Sequence, residues 1–87
     1  MKSKKLSIGE RGTLDQLRKG QRSKVIAIHG ENKRIKQRLL DMGIVAGVEI
    51  LMKKIAPLGD PLDIELRGYE LCMRKEDTRK IEVEVIS

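Results

Sequence analysis

The chain has 87 residues with 19 Lys and Arg against 13 Asp and Glu, a formal net charge of +6. A domain of this size buries only about 60–65% of the surface its unfolded form exposes. With no Trp, no Phe and one Tyr, its core must be aliphatic, which leaves no room for a deep substrate cavity beside it. One cysteine excludes an internal disulfide, and no apolar run approaches the roughly 20 residues that span a bilayer.

The elements follow in chain order. Met1-Lys2-Ser3-Lys4-Lys5 opens a basic tail expected to run through residue 12, with one domain over residues 13–87. The tail carries no following apolar segment and so does not read as a secretory signal; a reduced, cytoplasmic setting is expected. Thr13 is the expected N-cap of a single turn over Leu14–Leu17. Lys24–His29 is β-rich and bounded by Gly30, a buried strand.

From Glu31 to Met42 the period becomes helical: Ile35, Leu39 and Met42 form a stripe widened by Leu40, while Lys33, Arg34, Lys36 and Gln37 face away. Gly43 can take the left-handed cap conformation, with Ile44 folding back onto the helix. Val48, Ile50 and Met52 alternate as a strand that runs out into Ala56-Pro57-Leu58-Gly59-Asp60-Pro61, a loop stiffened by its two prolines. Leu58 either projects from that loop or folds over the barrel mouth. Leu62, Ile64 and Leu66 then alternate with Asp63, Glu65 and Arg67, Gly68 turns the chain, and Tyr69, Leu71 and Met73 are expected inward with Glu70, Cys72 and Arg74 outward. Lys75–Arg79 is a polar turn, and Ile81, Val83 and Val85 alternate to the end. Five short strands around one helix indicate a mainly β, partly open barrel, because curling the sheet removes most of its edges.

Little chemistry is visible. The metal candidates are His29, Glu70 and Cys72; no Cys-x-x-Cys or His pair accompanies them, whereas a closed zinc site takes four ligands. The expectation is no tightly bound cofactor and at most weak uptake of a transition metal. A carboxylate near Cys72 raises a thiol pKa, and Glu70 is the nearest in sequence, so the cysteine is expected to be structural. Ile8-Gly9-Glu10-Arg11-Gly12 lacks the Lys-Ser/Thr ending of a phosphate loop. No acid, base or nucleophile is positioned for catalysis. Lys33, Arg34, Lys36 and Arg38 could contact phosphates, but barrels that bind single strands use aromatic platforms, and Tyr69 is the one aromatic here.

Several segments together resemble the FeoA family: Leu14 with Leu17 and Gly20, Val25 with Ile28 and Gly30, Arg38-Leu39-Leu40-Asp41-Met42-Gly43-Ile44 with Gly47, Ala56–Pro61, and Arg67-Gly68-Tyr69 with Leu71. The resemblance covers Thr13 to Val85. It implies an SH3-like barrel and a non-enzymatic cytoplasmic accessory of a FeoB-type ferrous iron transporter, acting through the transporter's GTP-binding domain and recruited to the inner face of the membrane. A similar module occurs in iron-dependent DNA-binding repressors; with no helix-turn-helix segment in this sequence, a whole repressor is not expected. Leu58 is then the expected apolar anchor for the partner, with Lys33, Lys36 and Arg38 as steering charges. The protein is expected to be a monomer or weak homo-oligomer without specific nucleic-acid binding. The alternative is a small basic nucleic-acid-binding barrel.

Overall fold

The computed structural model describes residues 5–87. Its elements are strand β1 (Arg11–Thr13), a 3-10 turn (Leu14–Gln16), β2 (Arg22–Ile28), helix α1 (Lys33–Asp41), β3 (Glu49–Ile55), β4 (Leu62–Leu66), β5 (Tyr69–Met73), the short helix α2 (Lys75–Thr78) and β6 (Ile81–Val85). All six strands join one antiparallel sheet in the order β1-β6-β2-β3-β4-β5. The Cα extents are nearly equal, 28 × 25 × 23 Å. A single flat layer could not be that thick, so the sheet is rolled on itself with β1 and β5 as its two edges. Irregular registers at Val25/Ala27 in β2 and Met52/Lys54 in β3 supply the bending, since an extra residue on one strand sharpens its twist.

The core is aliphatic, as the composition requires. Val25, Leu39, Ile44, Ile50, Met52, Leu62, Ile64, Leu66, Ile81, Val83 and Val85 lie within one buried cluster. β4 and β6 show the expected alternation without exception. The fold is mainly β around one substantial helix, with six strands where five were expected. The additional strand is β1, whose Arg-Gly-Thr sequence has no apolar periodicity and is held by its ladder to β6.

The expected boundary at residue 13 differs from the packing. Leu6 is buried in the core, its carbonyl accepts the Gln21 side-chain amide at 2.9 Å, and the Gly9 N–H donates to the Val85 carbonyl at 2.8 Å. Burying one leucine pins a segment whose charge suggested a loose tail; Met1–Lys4 of that tail lie outside the described residues.

α1 begins one to two residues later than its periodicity suggests. Asn32 is the N-cap, and its Oδ1 accepts from the Arg34 and Ile35 N–H groups at 3.0 and 3.3 Å. At the other end Gly43 adopts φ 92°, its N–H donates to the Leu40 carbonyl at 2.9 Å, and the Ile44 N–H donates to the Leu39 carbonyl at 3.1 Å. This pair of bonds is the Schellman closure, and it delivers Ile44 into the core beside Leu39. Leu40 does not join the stripe; it is exposed.

Candidate functional site

Two corrections concern the hairpin of β4 and β5. Arg67 and Gly68 both have positive φ, 49° and 84°, which makes a tight two-residue turn of the type favoured by sheet twist. Tyr69 follows at the edge and is 42% exposed instead of inward. Its hydroxyl donates to the Met42 carbonyl at the end of α1, so the ring leans over the helix terminus with its polar tip satisfied. Cys72 is exposed as expected, but its controlling carboxylate is Asp63, directly across the hairpin, rather than Glu70. Hydrogen bonding to Asp63, then desolvation and the negative charges of Asp63 and Asp60, push the thiol up. A thiol so held is a poor nucleophile at neutral pH.

The three metal candidates are each engaged elsewhere. His29 Nε2 lies 2.6 Å from Glu82 Oε1 on β6, and Glu70 lies 3.8 Å from the Lys53 ammonium, which it shares with Glu65. Among the described residues no cluster of three His, Cys, Asp or Glu side chains is arranged to hold a metal ion.

Of the partner-binding candidates, the structure ties the Leu58 loop to Arg38 through α2, and among the described residues gives no contact that joins Lys33 or Lys36 to them. Leu58 projects from its loop, 94% exposed, which decides against a lid on the core. The loop closes on itself through Ala56 N–H to the Pro61 carbonyl at 3.1 Å and Gly59 N–H to the Ala56 carbonyl at 2.7 Å, and its Asp60–Pro61 peptide is cis. Asp60 then accepts the Lys75 N–H at 3.0 Å, and so takes up a main-chain donor at the start of α2. Two residues on, Asp77 Oδ2 accepts from Arg38 Nη2 of α1 at 3.3 Å. Thus α2 bridges the Leu58 loop to the C-terminal half of α1. A cavity of about 240 Å³ opens between the end of α1, the end of β5 and α2, lined by Arg38, Met42, Cys72, Met73, Arg74 and Asp77.

The charges divide in role. Arg38 is committed to Asp77, whereas Lys33, Arg34 and Lys36 make no ion pair among the described residues and are exposed. Cations in a first helical turn oppose the helix dipole and cost a few tenths of a kcal/mol or more; α1 has Lys33 and Arg34 there and no acidic residue to offset them. The positive potential at this end is therefore concentrated, which suits an acidic surface. Asn32 and Asp60 were missed in the sequence. The Asn immediately before a helical stripe was a readable cap signal, while Asp60 reaches α2 only through the tertiary fold.

Comparison with known proteins agrees with this geometry. A family profile described as the FeoA domain matches residues 12–85. An Fe(2+) transport protein A/Fe(2+) transporter FeoB fusion protein of Porphyromonas gingivalis is 36% identical over 74 residues, covering 85% of this chain and 9% of that protein. The chain thus spans under a tenth of that relative's length. The solution structure of a FeoA-like protein from Clostridium acetobutylicum superposes with a TM-score of 0.81 at 40% identity, covering 88% of each chain. A Stenotrophomonas maltophilia FeoA, solved with zinc and described as a procaryotic SH3 domain protein, gives 0.74 at 25% identity over 83% of this chain and 88% of that one. The rolled six-stranded sheet is accordingly SH3-like. With the profile spanning nearly every element from β1 to β6, this chain belongs to the FeoA family.

Proposed function

We propose that the protein is a non-enzymatic accessory of a FeoB-type ferrous iron transporter, docking on the transporter's cytoplasmic GTP-binding domain. The observation that carries this reading is the exposed Leu58 on a stiff loop, in a chain whose Lys33, Arg34 and Lys36 are exposed and make no ion pair among the described residues. An apolar anchor at an interface centre carries most of its affinity, while rim charges set the approach rate. The Porphyromonas gingivalis relative, named as a fusion of the two transport proteins, supports a working association between the two modules. Leu58→Asp is expected to abolish co-purification with the transporter's cytoplasmic domain, measured with and without guanine nucleotide, while moving the thermal midpoint by no more than a degree or two. If the substitution unfolds the protein, or if association is unchanged, the loop is not the docking surface. Binding to nucleic acid would instead weaken steeply with salt and be indifferent to Leu58.

The same reading assigns no tight metal site to a single chain. His29 already faces Glu82 and Cys72 faces Asp63. Calorimetric titration with ferrous iron or zinc is expected to show weak or non-stoichiometric uptake, reduced further by His29→Ala. A tight site at one metal per chain would overturn this assignment.

A further inference from the structure

Strand β5 is an edge of the sheet: among the described residues it pairs with β4 and with no other strand. The two-residue turn at Arg67-Gly68 makes Leu66–Tyr69 a hydrogen-bonded pair, so the ladder bonds of β5 fall at Tyr69, Leu71 and Met73. The main-chain N–H and C=O groups of Glu70 and Cys72 therefore point away from the sheet, and no group among the described residues takes them up. Such an edge templates pairing with another strand unless its side chains forbid it.

The side chains here favour one particular strand. Along the outward face the row reads Glu70, Cys72, Arg74: acid, neutral, base at equal spacing. Turned antiparallel onto a copy of itself with Cys72 opposite the partner's Cys72, Glu70 falls opposite the partner's Arg74, and Arg74 opposite the partner's Glu70. We propose that two copies of this chain associate through their β5 edges about a two-fold axis at Cys72, a continuous twelve-stranded sheet held by two reciprocal Glu70–Arg74 pairs. Glu70 is exposed, and the Lys53 it meets at 3.8 Å is held more closely by Glu65 at 3.5 Å, so Glu70 can exchange partners without leaving Lys53 unpaired; Arg74 is exposed with no ion pair among the described residues. On the opposite face the same register sets Leu71 against the partner's Met73. A shift of the axis to Glu70 opposes two carboxylates, and an axis at Leu71 sets Glu70 against a thiol with no charge matched. The interface is isologous, as two-fold contacts must be. A single strand pair buries less than the roughly 1,200 Å² of a stable interface, so the dimer is weak and concentration-dependent.

This association does not depend on the transporter, and Leu58 lies outside it. Sedimentation of the purified protein from about 10 µM to about 1 mM is expected to show a reversible monomer–dimer equilibrium. Glu70→Arg or Arg74→Glu alone is expected to weaken it about tenfold or more, because both symmetry-related pairs become repulsive together. The double variant, with Glu70→Arg and Arg74→Glu, restores it to within about threefold of the parent, a rescue that misfolding would not produce. Leu58→Asp leaves it unchanged, so failure here and failure of the docking surface are distinguishable. In this register the opposed Cys72 Cα atoms are about 5.5 Å apart, inside the disulfide range of about 4.4–6.8 Å. Diamide, which takes up the two electrons the thiols release, should therefore give a covalent dimer that Cys72→Ser abolishes, and should do so faster as alkaline pH populates the thiolate. A protein that stays monomeric at about 1 mM, or whose association is indifferent to both charge reversals, overturns the proposal.

Discussion

Ile64→Ala is expected to lower the unfolding free energy by about 2–5 kcal/mol, the cost of deleting buried methyl groups and leaving a partly unfilled cavity. Ile64 is fully buried on β4 and faces Met52 on one side and Leu71 on the other. Because β4 sits inside the sheet, neither neighbouring strand can close the void without shifting a ladder. Domains of this size have about 5–15 kcal/mol in total, so the substitution removes a large share, a drop in thermal midpoint of roughly 10 °C or more. Chemical denaturation gives the number directly. A loss under about 0.5 kcal/mol would place Ile64 outside the core and invalidate the facing of β4.

Gly43→Val is expected to be comparably damaging for a different reason. At φ 92° an L residue is strained, and the left-handed region costs about 1–2 kcal/mol even for a small side chain. The new Cβ would lie 2.8 Å from the Tyr69 hydroxyl oxygen and 3.5 Å from Leu66 Cδ1. Tyr69 must then move and release the Met42 carbonyl, adding about 1–3 kcal/mol of overpacking and lost hydrogen bonding. Two measurements separate these contributions. Denaturant titration reads the total, and Tyr69→Phe in the parent reads the hydrogen bond alone. A Gly43→Val protein as stable as the parent would show that the helix does not end in this cap.

The regular strands and the glycine-closed helix were legible because their signals are local. Leu62–Leu66 and Ile81–Val85 alternate at the period of a half-buried strand, and Gly43 stands where a left-handed residue must. β1 was not legible: three residues without an apolar side chain carry no periodicity, and their pairing partner lies some seventy positions away. Leu6 was masked by its lysine neighbours. Tyr69 was misplaced because alternation was extended up to the turn, where an edge residue can lean out and satisfy its hydroxyl on another element. The pairing of Cys72 with Asp63 could have been counted back from the Arg67-Gly68 turn, since a two-residue turn sets the whole register. The docking region was half visible. Leu58 and the basic helix could be named, but the link from the Leu58 loop to Arg38 runs through α2, by Asp60 to the Lys75 N–H and Asp77 to Arg38, and exists only in the tertiary fold.

The position of β6 bears on how the protein comes into being. It follows every other element in the sequence, yet lies between β1 and β2, with pairs to both. Until it emerges from the ribosome, β1 has no strand beside it and β2 has only β3. A nascent chain gains the native sheet only when residues 81–85 arrive, so folding waits on synthesis rather than accompanying it. Closure of this long span also makes the topology a slow one to form. In the interval it is the basic character of the chain, through like-charge repulsion between unfolded copies, that holds aggregation back.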